Sequence, residues 1–119
     1  MLNDLVIYQR VYDLLLYILP ILQRMPKAYR FTVVMQIENS LLEVVTLIAR
    51  ANRELNKGTT LFLLDIELDK ARLLFRLAHD LRLLPTDKYG QVSERLVEIG
   101  KLLGGWQRSL SLTVKQGVV

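Results

Sequence analysis

The chain has 119 residues, room for one domain over 1–119 with a core of its own and none for a second. It contains no cysteine and one histidine, which rules out a disulfide framework, thiolate metal sites and Cys-His nucleophile pairs. Sixteen basic against twelve acidic residues give a formal charge of +4, a mild pointer to an anionic partner, and the 51% hydrophobic content is high enough to favour self-association.

A first helix is expected from Asp4 to Arg24, with Val11, Leu14, Leu15, Ile18 and Leu22 at helical spacing and Asn3 or Asp4 as its cap. Pro20 inside this pattern predicts a kink. The apolar run from Leu14 to Leu22 is nine residues, too short to span a bilayer. With no basic region ahead of it, no signal or transit peptide and no membrane association are expected, and the cytoplasm is the default location.

After Met25-Pro26, a second helix is expected from about Tyr29–Thr32 to Asn56, with Val34, Ile37, Leu41, Val44, Val45 and Ile48 on its apolar side and Lys57-Gly58 as its stop. Thr59 or Thr60 would cap a third, ending near Leu84 before Pro85. Thr86 or Asp87 would open a fourth, carrying Val92, Leu96, Ile99 and Leu103 and weakening near Gly104, with the tail from 112 to 119 frayed. Short connections and the absence of hairpin signals predict an all-α, antiparallel, up-down-up-down four-helix bundle.

The third helix carries the most legible charge pattern. Asp65, Asp69, Arg72, Arg76, His79 and Asp80 share one stripe, and Glu67 and Lys70 lie nearly opposite. Between them run two apolar flanks, Ile66, Leu73, Leu77 and Leu84 on one side and Leu64, Leu68, Ala71, Phe75 and Ala78 on the other. One buried face needs a single flank, so the second could meet a neighbouring subunit or simply the next helix of the bundle. The stripe itself reads either as solvated ion pairs of Asp65 and Asp69 with Arg72 and Arg76, or as arginines presented to an anion or partner. Spacing alone favours the ion pairs.

No catalytic constellation is evident. The sequence shows no phosphate-cradling loop, no Glu-x-x-His pair for a di-iron bundle and no set of metal ligands, so neither metal nor cofactor is expected. Arg72 and His79, seven positions apart, resemble the Arg-His spacing of the HEPN helical ribonucleases, a match of low specificity because Leu73 follows the arginine where a polar residue is frequent.

Four pieces in order resemble the accessory variability determinant (Avd) proteins of diversity-generating retroelements. They are Tyr8 to Pro20, the Met25-Pro26-Lys27 turn, Ala71-Arg72-Leu73-Leu74-Phe75-Arg76-Leu77, and the ending Glu98 to Arg108 with Gly100, Gly104, Gly105 and Trp106. A broader relative is the four-helix-bundle group encoded in ribosomal-RNA intervening sequences. The resemblance implies a barrel-shaped homopentamer without catalytic activity. It would bind RNA and DNA without sequence preference and associate with the retroelement's reverse transcriptase during mutagenic complementary-DNA synthesis. Arg72 and Arg76 match the two third-helix arginines of the family's pattern, while Lys27, Arg30, Arg50 and Arg53 are candidates from charge and from their places near helix ends. The glycines are expected to allow close approach between helices, and Trp106 is expected to be a packing anchor.

Overall fold

The computed structural model describes the backbone of residues 2–113 and the side chains of 5–111. Four helices, α1 (Leu2–Gln23), α2 (Met35–Arg53), α3 (Gly58–Asp80) and α4 (Thr86–Thr113), form a rod 54 × 24 × 20 Å in extent, and no strand occurs among the described residues. Each helix packs on two neighbours: α2 lies between α1 and α3, and α4 closes the ring between α3 and α1. With connections this short, successive helices run antiparallel, as expected for the up-down-up-down bundle.

The core follows the helical period read from the sequence. Ile7, Val11, Leu14, Ile18 and Leu22 of α1 face Ile37, Leu41, Val44 and Ile48 of α2, Leu61, Leu64, Leu68, Ala71, Phe75 and Ala78 of α3, and Val92, Leu96, Ile99, Leu103 and Trp106 of α4, in one continuous cluster. A buried Leu, Ile or Phe contributes about 1.5–3 kcal/mol through the area it removes from water. The segments Leu5–Gln23 and Lys27–Arg53 have the length and apolar content of membrane-crossing helices, although neither is an uninterrupted apolar run; here one face of each packs into this core.

The ends of the elements depart from the expectations, each for a local reason. Helix α1 begins at Leu2, so Asn3 and Asp4 lie within its first turn rather than capping it. The helix passes through Pro20 to Gln23, and Ile18 and Leu22 on either side of the proline are both fully buried, so the helical phase is kept across it. Before α2 the chain forms a 3-10 turn, Lys27–Tyr29, followed by a π-helical turn, Arg30–Val34.

Helix α2 stops at Arg53, short of Asn56, because Glu54 is extended (φ −88°, ψ 142°). Gly58 does not terminate it and instead opens α3. The terminating group is the side chain of Lys57, whose ammonium donates to the carbonyl oxygens of Ala51 and Glu54, each at 2.6 Å. A lysine satisfying the last carbonyls also complements the negative end of the helix dipole. Thr59 and Thr60 do not cap α3; Thr60 is buried and its hydroxyl donates to the Glu54 carboxylate.

Helix α3 ends at Asp80, earlier than Leu84, in a Schellman turn: Arg82 N–H bonds to His79 O at 2.9 Å and Leu83 N–H to Ala78 O at 2.9 Å. The residue between them in the left-handed region is Arg82 (φ 62°), a place usually taken by glycine. Helix α4 opens at Thr86 as expected and continues through all its glycines to Thr113. Gly104 and Gly105 do not weaken it, because Leu103 and Trp106 beside them are anchored in the core and packing outweighs propensity. The frayed tail expected from 112 is thus helical in its first two residues, and its remainder lies outside the described residues.

Candidate functional site: the groove between the third and fourth helices

The two apolar flanks of α3 differ in fate. Leu64, Leu68, Ala71, Phe75 and Ala78 are buried, whereas Ile66, Leu73 and Leu77 stay exposed, Leu73 at 64%, and Leu84 turns back into the core from the connection. Phe62 extends the exposed flank toward the start of the helix. A second exposed apolar stripe runs along α1 through Leu5, Tyr8, Tyr12, Leu16 and Leu19, at spacings of three, four, four and three residues that keep it on one helical face.

Of the polar residues of α3, Glu67 faces α2, where it accepts a hydrogen bond from Ser40 Oγ at 2.7 Å and pairs with Lys70 at 3.6 Å. Of the charged stripe, Arg72 and His79 meet α4. Arg72 Nη1 donates to Asp69 Oδ1 at 2.7 Å, the i to i+3 pair expected from the spacing. Arg76 pairs forward with Asp80 at 3.7 Å rather than back toward Asp69, and Asp65 belongs to neither pair.

Arg72 leans from α3 across the seam toward α4, with its side chain 39% exposed, while that of Arg76 is 72% exposed. At its foot lies a groove of ≈150 Å³ lined by Arg72, Phe75, Tyr89, Ser93, Leu96 and Val97. One turn beyond Phe75, the His79 ring stacks on Tyr89 of α4, with centroids 4.5 Å apart and planes 14° from parallel. His79 Nε2 also lies 3.1 Å from Thr86 Oγ1, and Nδ1 lies 3.5 Å from Asp80 Oδ1. The histidine therefore ties the end of α3 to the start of α4.

The other basic candidates do not join this groove. Lys27 is in the exposed 3-10 turn ahead of α2. Arg30 borders a cavity of ≈170 Å³ with Leu22, Gln23, Met25, Val34 and Glu38. Arg50 and Arg53 lie at the other end of α2, beside a shallow depression with Val45, Thr46 and Ala49, and Arg50 pairs with Glu54 at 3.3 Å. Roughly 20 helical residues separate the two pairs, a span of about 30 Å.

The sequence reading missed the α4 side of the groove and the contribution of Arg95. The Arg95 guanidinium lies 4.8 Å over the Tyr17 ring and joins α4 to α1, as does the ion pair between Arg10 and Glu98. An aromatic and an arginine on different helices leave no signal in spacing along one helix.

The glycines also differ from expectation. None of the three singled out admits the backbone of another helix: Gly104 and Gly105 lie under Arg108 of their own helix, and Gly100 admits the Arg72 guanidinium. Trp106 is buried, as a packing anchor should be. Among the described residues, no group of three or more His, Asp or Glu side chains is placed to hold a metal ion.

The described residues form an all-α four-helix bundle with a groove between α3 and α4 and exposed apolar stripes on α1 and α3. The family model described as bAvd-like matches residues 5–110, and the chain belongs to that family. The match takes in all four helices, and with them the segments that resembled the Avd proteins in the sequence. A comparison with curated proteins finds no match.

Proposed function

We propose that this chain is a non-catalytic accessory protein of a diversity-generating retroelement. It assembles as a homo-oligomer, most simply a pentamer, in the cytoplasm, and engages the element's reverse transcriptase and nucleic acid during mutagenic complementary-DNA synthesis. The observation that carries this reading is the bAvd-like match over 5–110, with Arg72 and Arg76 at the accessible seam of α3 and α4.

The reverse transcriptase is assigned to the α3–α4 groove. Arg72 offers a partly buried fork to a partner carboxylate above an apolar floor of Phe75, Leu96 and Val97, a mixed character suited to protein contact. Nucleic acid is assigned to phosphate contacts by exposed basic residues, with Lys27 and Arg30 at one end of the rod and Arg50 and Arg53 at the other. Five copies at +4 each would carry +20, a field far stronger than one chain supplies. The exposed stripes of α1 and α3 supply apolar surface for assembly.

The ribonuclease alternative is less well supported. His79 is engaged by Tyr89 and Thr86 in a strut between helices, leaving it poorly placed as a general base.

The test is co-purification with the tagged reverse transcriptase of the same element, beside binding of mixed-sequence RNA over a salt series. Capture of the enzyme by the wild type and its loss in the Arg72→Ala/Arg76→Ala protein are expected, together with RNA affinity that falls steeply with salt. Salt-insensitive RNA binding, or equal capture by the double variant, would reject the assignment. Cleavage of the RNA that depends on His79 would establish the ribonuclease.

A further inference from the structure

We infer that Gly100 is a positioning residue for Arg72, leaving the space in which its guanidinium takes the orientation that meets the protein partner of the groove. This rests on the reading that Arg72 contacts the reverse transcriptase. Glycine inside a helix is disfavoured relative to alanine, so its presence in the middle of α4 calls for a reason. The reason lies across the seam. A Cβ added at Gly100 would sit 2.6 Å from Arg72 Nη2 and 3.9 Å from its Cζ, closer than the guanidinium can tolerate without moving.

The other glycines of α4 give the contrast. At Gly90 a Cβ would meet nothing within 4 Å, and at Gly104 and Gly105 it would meet only Arg108 of the same helix, at 3.3 and 3.8 Å. Among the described glycines, Gly100 alone has the place of its missing side chain taken by a group from another helix.

Arg72 is consequently tied at one nitrogen and given room at another. Its Nη1 donates to Asp69 Oδ1 on α3, and its Nη2 lies over the bare backbone of α4. A guanidinium tied at one nitrogen and seated against α4 at the other is biased toward one orientation, and ordering it before the partner arrives lowers the entropy lost on binding. Lengthening residue 100 by one methyl leaves the charge of the chain unchanged and makes the guanidinium, the far end of a flexible side chain, shift away from α4. The loss it causes is therefore a loss of orientation.

The experiment is a cycle of Gly100→Ala, Arg72→Ala and the double variant, with Gly90→Ala as the control for helix propensity. It reads capture of the tagged reverse transcriptase, binding of mixed-sequence RNA, and Tm. Gly90→Ala should raise Tm by about 3 °C and capture the enzyme as the wild type does. Gly100→Ala should weaken capture about tenfold, the scale of losing one charge-assisted hydrogen bond, and should add nothing to the loss already caused by Arg72→Ala. Its effect on Tm should reach that of the control only when Arg72 is absent.

Wild-type capture by Gly100→Ala, or an equal loss in both backgrounds, would overturn the inference while leaving the assignment of Arg72 intact. Wild-type capture by Arg72→Ala would remove the assignment itself, and the Tm cycle, which involves no partner, would still report whether Gly100 and Arg72 are coupled. Loss of RNA binding with capture preserved would overturn it in favour of a phosphate in the groove.

Discussion

Helix α3 has a sealed seam on one side and an open one on the other. Toward α2, its polar groups are engaged in holding the bundle: Glu67 takes the Ser40 hydroxyl, Thr60 donates to Glu54, and Lys57 closes the carbonyl end of α2. Toward α4, the arginines are paired only with acidic residues of their own helix, and a groove remains between Phe75 and Tyr89. The chemistry of the two sides is similar and the burial is not. Polar contacts withdrawn from water set stability, whereas those left partly in water are free to exchange partners.

Beyond the apolar core that both seams share, this difference predicts that polar substitutions on the sealed side cost stability and those on the open side cost association. The largest effect should come from Phe75→Ala, which empties a fully buried site beneath the groove and should cost about 3–5 kcal/mol, measured by urea denaturation. Next, Lys57→Met should cost about 2 kcal/mol by releasing the Ala51 and Glu54 carbonyls, with partner capture unchanged below the melting transition. Equal stability of this variant would show that water replaces the ammonium and that the seam is less sealed than its hydrogen bonds indicate.

Arg82→Gly should change stability in the opposite direction, by about 1 kcal/mol, since glycine has no Cβ to strain at φ 62°. A higher urea midpoint with unchanged slope is the expected result. Smallest of all, Arg72→Ala and Arg76→Ala should each alter stability by no more than about 0.5 kcal/mol, because their ion pairs are solvated. A larger loss at Arg72 would mean that its guanidinium braces α3 against α4, and the contrast between the seams would narrow.

Much of this was legible in the sequence. The core of α2 and α3 follows the 3.6-residue period at Val34, Ile37, Leu41, Val44, Ile48, Leu64, Leu68, Ala71, Phe75 and Ala78, because burial of one face is what the pattern encodes, while Val45, expected on the same side, is half-buried. The Asp69–Arg72 pair was equally readable, being local to one turn. The helix ends were not. Lys57-Gly58 has the composition of a glycine stop, but the side chain of the lysine does the capping, and Arg82 sits where glycine is the usual sign.

The groove was half visible. Arg72 stood out on α3, while Tyr89 and Ser93, which line it, and Gly100, beside the Arg72 guanidinium, come from another helix, and nothing in a linear pattern says which turn of α4 faces which turn of α3. Gly100 drew notice as a glycine, yet its neighbour in space is 28 positions away along the chain.

The π-helical turn at Arg30–Val34 sets an angle as well as a length. Such a turn holds one residue more than an α-turn, which offsets everything before it by about 100° around the axis. The buried series of α2 begins at Val33 and Val34, so the offset falls on Lys27, Arg30 and Phe31, all of which point to solvent, Phe31 at 76% exposure. On the other side of the turn Met25 is buried and Tyr29 packs against the core, so the basic corner is anchored both before and after the offset. The turn thus acts as a coupling between two fixed shafts, matching the phase of α2 to that of α1 while leaving Arg30 and Phe31 outside the core.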